Sequence, residues 1–364
     1  MSSSVTMSSP SNMAAAPILT PEEKKRKTYR RLVFLTWFLT LDLIAFGAFV
    51  RLTDSGLGCP DWPGCYGMVT PIGALADIRA AEQALPDGPV TMPKAWIEMI
   101  HRYVGALLGF LIIIFTAMAW RWRDIIGRSP ILTSVTLVAV CIQGAFGAWT
   151  VTLKLMPIIV TIHLLGGMTL LALMTWIAAR EKQHIPINPD NKRFSRWVAF
   201  GLVLLFMQIG LGGWVSTNYA ALACMDFPKC NGAWVPPMDL ANGFSVVRGL
   251  GELPSGEAIS QKALVGIHWV HRNFAWVIFA YLGTLAWRLH TDPGLRGPSH
   301  LVIALLFAQL FTGLTTIFFQ WPLLIAVLHN AGAAGLTIAV VTLLVRVVGI
   351  KPARVSQAGN PQIA

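Results

Sequence analysis

The sequence predicts an all-α polytopic membrane protein: eight transmembrane helices, arranged as two tandem four-helix bundles with pseudo-twofold symmetry. Three observations lead there. The 364 residues are 55% hydrophobic and only 12% charged, with a mean hydropathy of +0.60, whereas a soluble domain carries roughly 25% charged residues. Apolar runs of about 20 residues, the length that crosses a bilayer core as a helix, recur along the chain. The second half also repeats rare residues of the first at a nearly constant offset, the mark of a duplicated unit.

Residues 1–31 read as a disordered tail. The first 20 are rich in Ser, Pro, Ala and Met and supply no core; the next eleven are basic. The apolar run 32–50 follows without a small-residue cleavage site, so it reads as a first membrane helix and not a removed signal peptide. Seven more spans are expected near 96–119, 130–153, 157–179, 195–217, 263–287, 299–320 and 322–346. Tight turns at Met156-Pro157 and Trp321-Pro322 split long apolar stretches into hairpins. The chain thus divides into an N-terminal half, 32–180, a C-terminal half, 195–346, and a tail, 347–364.

Lys and Arg set the orientation. Basic clusters precede the first span (Lys24, Lys25, Arg26, Lys27, Arg30, Arg31) and join the halves (Arg180, Lys182, Lys192, Arg193, Arg196). The segments on the other side are poor in both residues, so both termini are expected in the cytoplasm of a bacterial inner membrane. This placement accounts for the net charge of +11 with no nucleic-acid partner. The long loops 52–95 and 219–262 then lie outside, and each holds a cysteine pair, Cys59/Cys65 and Cys224/Cys230. Disulfides persist in the periplasm and not in the cytosol, so each pair reads as a disulfide that pins its loop; reactive thiols that relay electrons are the second reading. Cys141, alone in an apolar run, reads as a small core residue.

The repeat is specific. Cys59-Pro-Asp-Trp-Pro-Gly-Cys65 matches Cys224-Met-Asp-Phe-Pro-Lys-Cys230 at an offset of 165, Gln143, Gly147 and His163 match Gln309, Gly313 and His329 at 166, and His101 matches His271 at 170. An even number of spans per half gives both halves the same orientation, a parallel repeat about an axis along the membrane normal.

The chemistry concentrates in residues 96–109, W-I-E-M-I-H-R-Y-V-G-A-L-L-G. Charged groups inside a membrane helix are costly and mark function by default, and Glu98 and His101, three apart, share a helix face. The echo at 266–276, G-I-H-W-V-H-R-N-F-A-W, puts His268 where Glu98 stands. Of eight histidines, His184, His290 and His300 fall in or beside inner loops and read as solvated. His101 and His163, and likewise His271 and His329, sit at similar depth below the outer surface, so each pair is placed to hold one metal centre between helices. Zinc wants further ligands that each half lacks; haem iron needs only axial ligands in an apolar slot. Arg51, Arg102 and Arg272, near the outer end, are candidates for binding haem propionates. Gly105, Gly109, Gly166, Gly167, Gly332 and Gly335 either let a flat macrocycle approach or serve ordinary helix packing. Asp42, inside the first span, has no counterpart in the repeat; it is either hydrogen-bonded in the bundle or on a proton path.

These stretches, E-M-I-H-R-Y-V-G, R-L-T-D-S-G-L-G-C-P-D-W-P-G-C, T-I-H-L-L-G-G and the duplicated loop cysteines, resemble the haem A synthase family in its bacterial form with paired cysteines in both large outer loops. The resemblance covers about residues 32–346. It implies oxidation of the C8 methyl of haem O to a formyl group, giving haem A for terminal oxidases, with water as the oxygen source. It implies His101 and His163 as ligands of the substrate haem, His271 and His329 as axial ligands of a haem B cofactor, and Glu98 as the essential acid. It also implies a handover from the haem O synthase (protohaem farnesyltransferase), and leaves a homo-oligomer open. The residues agree with this asymmetry, since only the first half places a carboxylate one turn outward of its histidine; the alternative for Glu98 is a surface acid near Lys94. Two rival readings stand beside it. A di-haem electron-transfer protein of cytochrome b type shares the four histidines but leaves Glu98 unexplained, and a transporter predicts polar residues at mid-membrane rather than near one face.

Overall fold

A computed structural model describes residues 19–86, 88–182 and 184–349. Within them the chain is helical, with no strand and three isolated β-bridges in loops. The helices are α1 (Pro21–Leu52), α2 (Leu75–Ala84), α3 (Met92–Arg121), α4 (Arg123–Ile126), α5 (Ile131–Thr152), α6 (Pro157–Arg180), α7 (Ser195–Thr217), α8 (Leu240–Gly243), α9 (Gln261–Leu289), α10 (Arg296–Phe318) and α11 (Leu323–Val348). Among the described residues seven helices are long and apolar enough to cross a membrane: α1, α3, α5, α6, α7, α10 and α11. The chain is a multi-pass membrane protein. The span expected at 263–287 corresponds to α9, which has the length but not the apolarity, because His268, His271, Arg272 and Asn273 interrupt it.

Helix α1 corrects the expected tail. It begins at Pro21, eleven residues before the apolar run, because Thr20 and Glu23 form a capping box, Thr20 Oγ1 accepting from Glu23 N and Glu23 Oε2 from Thr20 N, with Pro21 in the first turn. The basic stretch is therefore helical. Arg26 donates to the Ile125 and Ile126 carbonyls, tying it to α4. The rest of that tail, and the C-terminal tail beyond Gly349, lie outside the described residues. Helices α3 and α9 begin at Met92 and Gln261, four and two residues further out than expected, behind the caps Thr91 and Ser260. This puts His101 and His271 nine and ten residues from their helix starts, against six for His163 and His329.

Contacts between helices form two closed circuits. In the first, α1 packs on α3, α3 on α5, α5 on α6 and α6 on α1; in the second, α7 packs on α9, α9 on α10, α10 on α11 and α11 on α7. They meet along α1, α6, α7 and α11. There Leu164 and Leu165 of α6 seat on Gly213 and Gly210 of α7, where a Cβ on Gly213 would stand 2.8 Å from the Leu164 side chain. At the outer end Arg51 joins the circuits, donating to the Ser216 carbonyl (2.6 Å) and Asp54 (3.0 Å) and lying over the Tyr219 ring, whose hydroxyl donates to Asp54.

Among the described residues helix α5 packs mainly on α3 and α6, and much of its remaining face is exposed. Cys141 lies there and is exposed, which corrects its reading as a core residue: a thiol is apolar enough for a lipid-facing position. His184 is likewise not a solvated surface group. It is half-buried, with Nε2 2.6 Å from the Ala179 carbonyl and Nδ1 accepting from Arg346 (3.1 Å).

Candidate functional site

The two cysteine-bearing loops are built alike. Disulfides join Cys59 to Cys65 and Cys224 to Cys230, with S–S lengths of 2.06 and 2.00 Å. The shared Asp of the motif holds the turn: Asp61 accepts from Tyr66 N and Gly67 N (2.6 and 2.7 Å), and Asp226 accepts from Asn231 N and from Gly232 N (2.9 Å). The Gly232 bond, helped by that of Asn231, holds the Asp226 carboxyl below its ordinary value.

Each loop is then anchored to the helix beneath it through the backbone N–H of its first cysteine. In the first half the acceptor is Glu98 Oε2, 2.8 Å from Cys59 N. In the second it is His268 Nδ1, 3.2 Å from Cys224 N. His268 thus does structurally what Glu98 does, without the charge. Glu98 is 4% exposed, which excludes the surface-acid alternative, and its Oε1 pairs with Arg102 at 2.5 Å.

The three arginines differ. Arg102 is spent on Glu98 and on the Cys59, Asp61, Pro63 and Gly64 carbonyls, and Arg51 on the contact between circuits. Arg272 donates only to the Lys229 carbonyl (3.1 Å), lies over the Phe227 ring, and keeps a buried Nη1 with no partner among the described residues.

The histidines fall into two sites. His163 lies within electrostatic range of His101, and His329 of His271. A glycine of a neighbouring helix faces each ring: a Cβ on Gly47, Gly147, Gly212 or Gly313 would stand 3.0, 3.3, 3.0 or 3.4 Å from Cε1 of His101, His163, His271 or His329 respectively. The amides of Gln143 and Gln309 donate to the His163 and His329 carbonyls (2.9 and 3.0 Å). Sequence reasoning caught Gly147 and Gly313 as repeats but missed Gly47 and Gly212, although these too are 165 apart. Of the glycines it did single out, Gly166 and Gly332 face Gln143 and Gln309, Gly105 has only Leu43 near it, and Gly109 has nothing within 4 Å. Asp42 is exposed on α1, in line with exposed Leu35 and Phe38, and makes no hydrogen bond among the described residues.

A cavity opens between α7, α9, α10 and α11, walled by His271, His329, Gln208, Arg272, Phe227 and Trp276. It is mostly apolar, with the imidazoles of His268, His271 and His329, close-approach glycines and one under-bonded cation. These features suit a planar macrocycle with axial histidines and acidic side arms. Among the described residues no three His, Cys, Asp or Glu cluster as a metal site, so a protein-caged ion does not fit as well. In the first half the buried His101 Nδ1 and His163 Nδ1 have no partner among the described residues.

Fold and site together define a multi-span membrane protein with four half-buried histidines, two in each circuit, beside disulfide-pinned loops. The COX15-CtaA family model, described as cytochrome oxidase assembly protein, matches residues 30–341, and the chain belongs to this family. It is 38% identical to haem A synthase of Shewanella oneidensis over 85% of this chain and 95% of that protein. It is 30% identical to haem A synthase of Shouchella clausii over 58% and 66%, and 28% identical to that of Erythrobacter litoralis over 82% and 91%.

Proposed function

We propose that this chain is a haem A synthase: an oxidoreductase that converts the C8 methyl of haem O to a formyl group, with water as the source of oxygen. The observation that carries the reading is an asymmetry. Two sites share matched histidines, glycines, glutamines and loop anchors, yet only the first anchor is a buried carboxylate paired with an arginine. Family membership and the names of its relatives agree with this.

In this reading haem O would lie between His101 and His163. Glu98, one turn outward of His101 and held by Arg102 and Cys59 N, would stabilise positive charge as the methyl carbon gives up four electrons in all, with four protons, to one-electron acceptors on the way to the formyl, and would accept a proton from the water that supplies the oxygen. His271 and His329 hold haem B, which when bound supplies one-electron redox chemistry, and Arg272 meets a propionate. We also read α9 as an eighth span, its His268, His271 and Arg272 turned to the cavity, so that the two circuits are tandem four-helix bundles about a pseudo-twofold axis. Both termini then lie in the cytoplasm and the disulfide loops outside a bacterial plasma membrane. A handover of haem O from its farnesyltransferase is implied by the family resemblance alone.

The test is to purify the chain from a host that makes haem O, extract the pigments and identify them by chromatography and mass. Haem B together with haem O, its hydroxylated form or haem A is the expected result. Two haem B per chain, unchanged by haem O supply, would replace this reading with a di-haem electron carrier, and a colourless folded protein would overturn both.

A further inference from the structure

The two histidine pairs differ in what their outward ring nitrogens meet. In the C-terminal half, the Thr312 hydroxyl donates to the Ala308 carbonyl (2.8 Å) and stands 2.8 Å from His329 Nδ1, free to accept the Nδ1 proton. The Gln208 amide donates to the His271 carbonyl and stands 3.2 Å from His271 Nδ1. In the N-terminal half neither exists, and His101 Nδ1 and His163 Nδ1 are buried without partners among the described residues. The repeat says what replaced them. The glycines facing the first histidine of each half set an offset of 165 between α1 and α7, which puts Leu43 at the place of Gln208. The glycines and glutamines of α5 and α10 set an offset of 166, which puts Phe146 at the place of Thr312.

We infer that Thr312 is a positioning residue that makes the C-terminal site a retaining one, and that Phe146 in its place leaves the N-terminal site an exchanging one. An acceptor on Nδ1–H fixes the tautomer and ring orientation, leaves the Nε2 lone pair aimed at iron, and raises its basicity; loss of such partners weakens metal ligation about 10–100-fold. A resident cofactor needs that hold. A substrate site must release its product each turnover, and an imidazole free to turn binds less tightly. One backbone, duplicated, thus becomes a cofactor site and a substrate site through a single position, Thr312 in one half and Phe146 in the other.

This inference rests on the assignment of haem B to His271 and His329. The experiment compares the wild type with Thr312→Val, which keeps the shape and removes the acceptor, and Thr312→Ser, which restores it. Two quantities are read on the purified full chain: the rate of haem B loss to a haem-free globin scavenger and the midpoint potential of the bound haem. Thr312→Val is expected to lose haem about 10–100-fold faster with a shifted potential, and Thr312→Ser to match the wild type. Unchanged rate and potential in Thr312→Val would overturn the inference while leaving the enzyme assignment intact. Haem B that survives in His271→Ala with wild-type spectra would overturn the assignment itself, and the inference with it.

Discussion

At the scale of single residues, Glu98 carries two duties that separate on substitution. It accepts from Cys59 N and pairs with Arg102, so Glu98→Ala leaves Arg102 as a buried charge without its partner, at a cost of about 3–5 kcal/mol. Glu98→Gln keeps an acceptor for Cys59 N and a neutral contact for Arg102. Both variants are expected to retain haem and to stop haem A formation, with Gln melting well above Ala. Pigment analysis and thermal unfolding check this, and full activity in either variant would remove the acid from the mechanism. Gly212→Ala tests the cradle. The added methyl would stand 3.0 Å from the His271 ring, tighter than most Cβ contacts, so the ring must shift by a few tenths of an ångström, and the variant is expected to fold but to purify with less haem B, read from its absorbance.

At the scale of elements, each outer loop is a seven-residue disulfide ring closed by an Asp and hung from a helix. Replacing Cys224 and Cys230 with Ser removes a constraint on the unfolded chain worth about 2 kcal/mol, and is expected to lower the melting temperature without abolishing the fold, since Asp226 and His268 still hold the loop. The pH response follows from Asp226. Its folded carboxyl titrates below its ordinary value of 3.8, so its contribution to the loop is full above that value and is lost as pH falls through the lower folded value. Amide exchange of Asn231 and Gly232 is expected to stay flat from neutral pH down to about 4, once corrected for intrinsic rates, and to rise only below it. Protection lost already near pH 6 would show that another group holds the turn.

At the scale of the whole molecule, the circuits meet through small residues of α7 seated on α6 and through Arg51 at the outer end. Arg51 contacts Ser216, Asp54 and Tyr219, so Arg51→Ala is expected to lower thermal stability by about 1–2 kcal/mol while haem content stays unchanged. Loss of haem at unchanged stability would return Arg51 to the propionate role that its position near the outer end suggests.

Much of this was legible from residues alone. Hydropathy gave the long helices to within a few residues, because a bilayer fixes their length and composition; the exception is the start of α1, which a capping box at Thr20 and Glu23 sets eleven residues before the apolar run. The duplicated C-x-D-aromatic-P-x-C loops and repeated histidines announced two related sites, because few residue types do that chemistry and their spacing survives duplication. Other features waited for the tertiary structure. That Glu98 and His268 are equivalent loop anchors depends on a contact 39 or 44 residues away in the chain, and that Arg102 and Arg51 are already occupied depends on loop carbonyls and on the other half. The glycines against the imidazoles, and Thr312 and Gln208 behind them, act across helices, and a helical period says which face a residue shares but not what faces it. Composition and periodicity are local properties and determine the elements. Which buried polar atoms find partners is decided only when helices far apart in sequence close on one another, and that is where the two halves of this molecule part company.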